Sequence, residues 1–197
     1  MKIAIRGSGA VSPAGWTAAD LARAGDLPLE TEQREGARQV QVRRVPPLDR
    51  KLAIKHPRLR RVSPVAKFAV SAACEAIGEM RLEAIKAGEW RLGVVLTVVN
   101  GCVNYTRKFF SEVLDDPATA SPILFPETVF NSPSSHLAAL LGSREMNYTL
   151  LGDSTQFLSG LDLATQWLED GLADGVVVVG AEELDWLSCE AAQLFRA

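Results

Sequence analysis

The chain has 197 residues, 47% of them hydrophobic and 23% charged, with a formal net charge of −3. That is enough chain to bury a substantial core as a single domain over residues 1–197, and the acidic balance excludes nucleic-acid binding through a general positive field. No apolar run approaches the roughly 20 residues of a membrane-spanning helix, and the opening residues carry no cleavage-site pattern, so neither a membrane segment nor a signal peptide is expected. Cys74, Cys102 and Cys189 are odd in number and scattered, which reads as reduced thiols of a cytoplasmic protein. With no CxxC and only His56 and His136, no metal site is expected.

Lys2–Arg6 alternates apolar Ile3 and Ile5 with polar neighbours and runs into Gly7 and Gly9, the pattern of a strand and turn. Residues 16–24 read as a short helix and 39–45 as a second, more exposed strand, inside an irregular region of about 25–61. Ser63-Pro64 is a helix start, serine as N-cap and proline at the first position. Val65, Phe68, Ala69, Ala72, Ala76 and Ile77 carry that helix to about Met80. Leu92–Val99 is nearly unbroken apolar sequence, as in a strand covered on both faces. Helices follow over 105–114 and 134–141, the second ended by Gly142, then a strand over Asn147–Leu151. Phe157, Leu161, Ala164 and Leu168 share a helical face closed by Gly171, and Val176–Val179 is another buried strand. Strands alternating with helices predict an α/β domain with a mostly parallel, mixed sheet of about five strands.

Several segments in order resemble the β-ketoacyl synthase-type condensing enzymes of the thiolase-like superfamily, and specifically their amino-terminal half. Gly7-Ser-Gly-Ala-Val-Ser-Pro-Ala-Gly15 is similar to the opening G-x-G-x-V-S-P-x-G of that family. Leu92–Leu96 with Gly101, then Ser121-Pro122, Phe125-Pro126, Thr128, Asn131 and His136-Leu137, fall in the family's order. Gly171-Leu-Ala-Asp174 and Val179-Gly-Ala-Glu-Glu183 resemble its G-x-A-D and G-G-A-E segments. The competing reading of the first glycines, a dinucleotide fingerprint, lacks its third glycine, where Ser12 stands. No cofactor is expected.

The resemblance implies a nucleophilic cysteine at the start of a buried helix, where the helix N-terminus favours thiolate and backbone N–H groups hold the thioester oxyanion. The family spacing from Asn131 forward and from Gly171 backward lands on Ser154, within Leu151-Gly-Asp-Ser154. A shifted register on Ser159-Gly160 puts Phe157 there instead. The cysteine is missing on either alignment. Ser154 is then the catalytic candidate by position, an acyl acceptor if activated, or a helix cap beside Asp153. Cys102 is a second candidate nucleophile, with no evident base. His56 and His136 match none of the decarboxylating residues of the family's second half, which would begin where this chain stops; His136 is expected to be structural.

Two further expectations concern partners. Between Arg43 and Arg61 stand eight Lys/Arg and one acid, Asp49; Arg43, Arg44, Arg58, Arg60 and Arg61 are candidates for docking an acidic acyl carrier protein. The resemblance also implies that Asn147, Tyr148, Thr149, Leu150 and Leu151 form an edge strand that pairs with a mate, giving a homodimer or a heterodimer with a complete synthase. The functional expectation is a non-condensing subunit of fatty-acid or polyketide-type biosynthesis, comparable to chain-length factors, whose cysteine is commonly replaced by glutamine. The alternatives are a truncated synthase or acyltransferase using Ser154, and a domain that holds acyl chains without chemistry.

Overall fold

The structure, a computed structural model, describes residues 2–33, 39–49, 54 and 56–195. Its centre is a three-stranded parallel sheet of β3 (Leu92–Val98), β4 (Asn147–Leu151) and β5 (Gly175–Gly180), in the order β4-β3-β5. A separate antiparallel hairpin joins β1 (Glu30–Glu32) to β2 (Val40–Val42). Five strands are present among the described residues, as expected, but they are divided between two sheets.

All seven residues of β3 are buried, because helices cover both faces of the central strand. Val94, Leu96 and Val98 point to one side and join the core formed by α2 (Pro64–Ile77) and α5 (Ser132–Leu141), including Val65, Val70, Ala73, Leu137 and Leu141. Gly93, Val95 and Thr97 point to the other side, against α6 (Gln156–Glu169). α6 reaches the sheet through small residues. A Cβ on Gly160 would lie 2.9 Å from the Thr97 methyl and 3.0 Å from Val178. The buried positions of α6 are Gly160, Ala164 and Trp167, whereas Phe157 and Leu161 of the stripe read from the sequence remain 41% and 38% exposed. The surface of α6 seated on the sheet thus combines small Gly160 and Ala164 with Trp167, while much of Phe157 and Leu161 stays open.

α2 begins as its sequence dictates: Ser63 Oγ accepts the Ala66 N–H at 3.3 Å and Pro64 occupies the first turn. It stops at Gly78, whose φ of +77° leaves the helical region, earlier than the expected Met80; a further helix, α3 (Glu79–Lys86), follows at once. The opening glycines have a packing role. A Cβ on Gly7 or Gly9 would sit 2.0 Å from the carbonyl oxygens of Ala76 or Ala72, so only glycine lets this segment lie on α2. Glu75 of α2 secures it, accepting N–H groups of Ala10 (3.0 Å) and Ala18, the first residue of α1 (Ala18–Ala22).

Two strand expectations are corrected. Lys2–Arg6 pairs with no strand among the described residues, and Ile3 and Ile5 are exposed; alternation supplies a face, but a strand also needs a ladder partner. Of residues 39–45 only Val40–Val42 are paired, with Glu30–Glu32, a charged segment that the sequence presents as irregular. Parts of the 25–61 region, residues 34–38, 50–53 and 55, lie outside the described residues; within the rest, Pro57–Arg60 forms a 3-10 turn. α4 (Val103–Asp115) contains the expected 105–114 helix, and α7 (Trp186–Leu194) closes the chain.

Candidate functional site at the carboxyl ends of the sheet

Because β3, β4 and β5 are parallel, the loops that follow them emerge on one side, where open α/β sheets place ligands. Backbone bonds hold these loops together: Gly152 N–H reaches Val98 O at 3.3 Å and Ala181 N–H reaches Thr97 O at 3.2 Å. Glu182 ties the third loop to the first, its carboxylate accepting the N–H groups of Val99 and of Asn100, the latter at 3.1 Å.

Ser154 lies in the loop after β4, exposed, in the turn before α6. It is not the helix cap; Thr155 holds that position. Asp153 does not serve Ser154 either. Its Oδ1 accepts the Thr155 hydroxyl at 2.6 Å and the Thr155 N–H at 2.8 Å, and these bonds hold the carboxyl below the usual carboxylate range. A carboxylate stabilised in this way is a weak base. Ser154 itself makes no hydrogen bond among the described residues. The neighbour that sequence reasoning overlooked is Gln156, which opens α6 and folds over Gly152: a Cβ there would lie 2.4 Å from the Gln156 side chain.

Cys102, after β3, is buried, and its Sγ lies 3.6 Å from Ser63 Oγ. Burial raises its pKa to about 11, with the carboxylates of Glu183, Glu127 and Glu182 adding to the effect. At pH 7 only about one molecule in ten thousand carries the thiolate, so Cys102 is a packed thiol rather than an activated nucleophile. Beside it Glu127 accepts the Ser63 N–H at 3.1 Å and the Ser132 hydroxyl at 3.2 Å, while its other oxygen meets His136 Nε2 at 2.6 Å. This network ties the starts of α2 and α5 together, a structural role for His136, whose Nδ1 is buried without a partner. His56 caps the 3-10 turn by accepting the Arg58 N–H. Among the described residues no cluster of three His, Cys, Asp or Glu could hold a metal, and no helix is long and apolar enough to cross a membrane.

The five arginines expected to dock a carrier protein do not form one group. Arg44 bridges Glu30 at 3.0 Å and Glu32 at 2.8 Å, and Arg43 donates to Leu27 O, so both brace the hairpin. Arg58, Arg60 and Arg61 are exposed and make no side-chain bond or ion pair among the described residues. Arg50, Lys51 and Lys55 of the same basic run lie outside the described residues. Asn147–Leu151 is an edge strand: among the described residues β4 pairs only with β3, and Tyr148 and Leu151 are 55% and 51% exposed.

A family model described as "Beta-ketoacyl synthase, N-terminal domain" matches residues 5–195. No curated protein matches the sequence. Among solved structures, "The ishigamide ketosynthase/chain length factor" is similar at 21% identity and a TM-score of 0.78, over 98% of this chain and 56% of that one. A structure described as "Ketosynthase (ApeO) in Complex with its Chain Length Factor (ApeC) from Xenorhabdus doucetiae" is similar at 17% identity and a TM-score of 0.59, covering 93% of this chain and 68% of that one. A β-ketoacyl synthase from Burkholderia phymatum STM815 is similar at 17% identity and a TM-score of 0.69, covering 97% of this chain and 48% of that one. The chain thus spans about half the length of the first and third of these proteins, and at such identities the likeness shows the fold.

Proposed function

The chain belongs to the β-ketoacyl synthase N-terminal domain family, and from that premise we propose that it is a non-condensing, chain-length-factor-like subunit that pairs with a complete synthase and serves an acyl carrier protein. The observation that carries this reading is the state of Ser154. It stands where the family's cysteine is expected, exposed, with Asp153 already engaged by Thr155. A hydroxyl without a base does not capture an acyl thioester at a useful rate. The only buried thiol near the loop cluster, Cys102, is protonated at neutral pH. Two of the similar structures are named as ketosynthases with chain length factors, which agrees with a pairing role.

The outer edge of β4 is the surface on which we place the mate, and Arg58, Arg60 and Arg61 are the cations available to an acidic carrier protein. Charge of that kind raises the encounter rate more than the final affinity. The test is reconstitution with malonyl- and acyl-carrier protein. The chain alone yields no β-ketoacyl product, and an active synthase co-purifies with it when the two are expressed together. Product above a no-protein control, abolished by Ser154→Ala, would establish the acyltransferase alternative instead.

A further inference from the structure

A cleft of about 950 Å³ opens between the β1–β2 hairpin, the turn Gly9–Pro13 and the loop Gly180–Asp185, with α2 contributing Phe68. Its charged lining is mostly acidic, and most of that charge is accounted for. Glu32 pairs with Arg44 at 2.8 Å, Glu182 is held by backbone N–H groups, and Asp185 caps α7 by accepting the Ser188 N–H at 2.8 Å. Of the two arginines in the lining, Arg44 is ion-paired within the hairpin and Arg43 donates to the Leu27 carbonyl.

Glu183 is different. It is 7% exposed, its Oε1 accepts the Asn104 N–H at 2.9 Å, and its Oε2 is buried without a partner. Leaving a carboxylate oxygen desolvated and unpaired is unfavourable by more than a hydrogen bond's worth, and Glu183 is itself part of the cleft lining. Val42, Phe68 and Leu184 supply apolar walls nearby. An anion such as a phosphate meets a lining in which five carboxylates outnumber two arginines, one of them already ion-paired; a cation meets an unsatisfied carboxylate with apolar side chains nearby.

We propose that this cleft is a binding site for an alkyl cation, a guanidinium or ammonium group on an apolar stem, with Glu183 Oε2 as its acceptor and the walls holding the stem. The same chemistry is offered by a free amine or guanidine and by an arginine or lysine side chain of another polypeptide. The site lies apart from Ser154 and does not depend on the reading of that residue.

The test is an NMR titration of the full chain with agmatine and with the capped tripeptide acetyl-Val-Arg-Val-amide, following the Glu183 side-chain carboxyl carbon. Burial holds the Glu183 pKa above its ordinary value, with Asp185 and Glu182 adjacent, Cys102 beneath, and Glu32, Glu190, Cys189, Arg43 and Arg44 lining the same cleft. A bound cation favours the carboxylate, so the Glu183 midpoint falls on binding and affinity weakens as pH drops through it. Glu183→Gln, which keeps the acceptor for Asn104, weakens binding by at least about tenfold, as does replacing the peptide's arginine with neutral citrulline. Tighter binding of the peptide assigns the site to a polypeptide side chain, and equal binding to a free cation. No saturable binding of either probe at millimolar concentration, equal binding by Glu183→Gln, or an unmoved Glu183 midpoint overturns the proposal.

Discussion

Replacing Thr149 with proline probes the proposed pairing surface at its centre. In β4 the Met146 carbonyl accepts from Val94, and Gly152 donates to Val98, so the even-numbered residues between them turn their backbone groups to β3. Asn147, Thr149 and Leu151 therefore point theirs at the open edge. An antiparallel mate centred on Thr149 would exchange about six backbone bonds with these residues, and proline removes the 149 donor from each copy. The loss of two bonds at about 0.5–1.5 kcal/mol each is roughly 1–3 kcal/mol, a weakening of about 5- to 150-fold in a homodimer. With a synthase as mate only one donor is lost from this side, and the expected loss is about half as large in free energy.

The β3 ladder is untouched by the substitution, but the Thr149 hydroxyl also meets Ser134 Oγ at 3.1 Å. Thr149→Val removes that bond while keeping the N–H, and so separates folding from pairing. Sedimentation velocity across micromolar concentrations, alone and with the synthase, is the assay. The expected order is wild type and Thr149→Val paired and Thr149→Pro dissociated, all with the same circular dichroism. A wild-type chain that stays monomeric in both settings, or a Thr149→Pro variant that pairs as tightly as Thr149→Val, would refute the edge-strand reasoning.

Gly9→Ala forces a Cβ onto the Ala72 carbonyl and is expected to lower stability by at least about 2 kcal/mol or to free the opening segment, read as a fall in Tm and as early proteolysis before residue 18. At pH 8 in the folded protein, Cys102 and Cys74, both raised to about 11 by burial, resist iodoacetamide while Cys189, also raised by burial but by less, reacts first; peptide mapping checks the order, and denaturant abolishes it. Charge reversal at Arg58, Arg60 and Arg61 together slows carrier-protein association by about tenfold at low salt, with the difference shrinking as salt rises in stopped-flow traces, whereas reversal of Arg44 perturbs the hairpin and leaves that rate unchanged.

The sequence shows most clearly what short-range rules decide. Ser63-Pro64 starts α2 because a hydroxyl cap and a missing N–H suit a first turn whatever lies beyond it. The unbroken apolar run of β3 is legible because both of its faces are covered. What depends on distant partners is not legible. Lys2–Arg6 has the alternation of a strand but no ladder, and Glu30–Glu32 looks irregular but pairs with Val40–Val42. The apolar stripe of α6 is legible as a helix, but its seating is not: Ala164 of that stripe is buried with Gly160 and Trp167, whereas Phe157 and Leu161 stay exposed. At the site, the place of Ser154 could be counted from flanking motifs. The commitment of Asp153 to Thr155 and the unpaired oxygen of Glu183 could not, since each is a matter of side-chain geometry.

The exposed apolar residues at the start of α6 bear on the proposed pairing. Tyr148 on β4 stands edge-on to Trp167 of α6, their ring centroids 5.4 Å apart, so the sheet edge and the carboxyl half of that helix form one continuous surface. A mate joined through β4 covers Tyr148 and Leu151 and reaches that half. Phe157, Leu158 and Leu161 lie in the other half, 41%, 67% and 38% exposed. Strand pairing extends the sheet within its own layer, whereas these side chains lie on a helix stacked above it. Burying them requires contact from outside the α6 layer, which edge pairing alone does not provide. Apolar surface left open in this way promotes association. A dimer formed only through β4 should therefore remain prone to aggregate at concentrations where its strand interface is already saturated. Serine or lysine at Leu158, the most exposed of the three, should suppress that aggregation in light scattering without changing the dimer constant. If the substitution weakens dimerisation as much as Thr149→Pro does, the two surfaces are one interface and the layered picture is wrong.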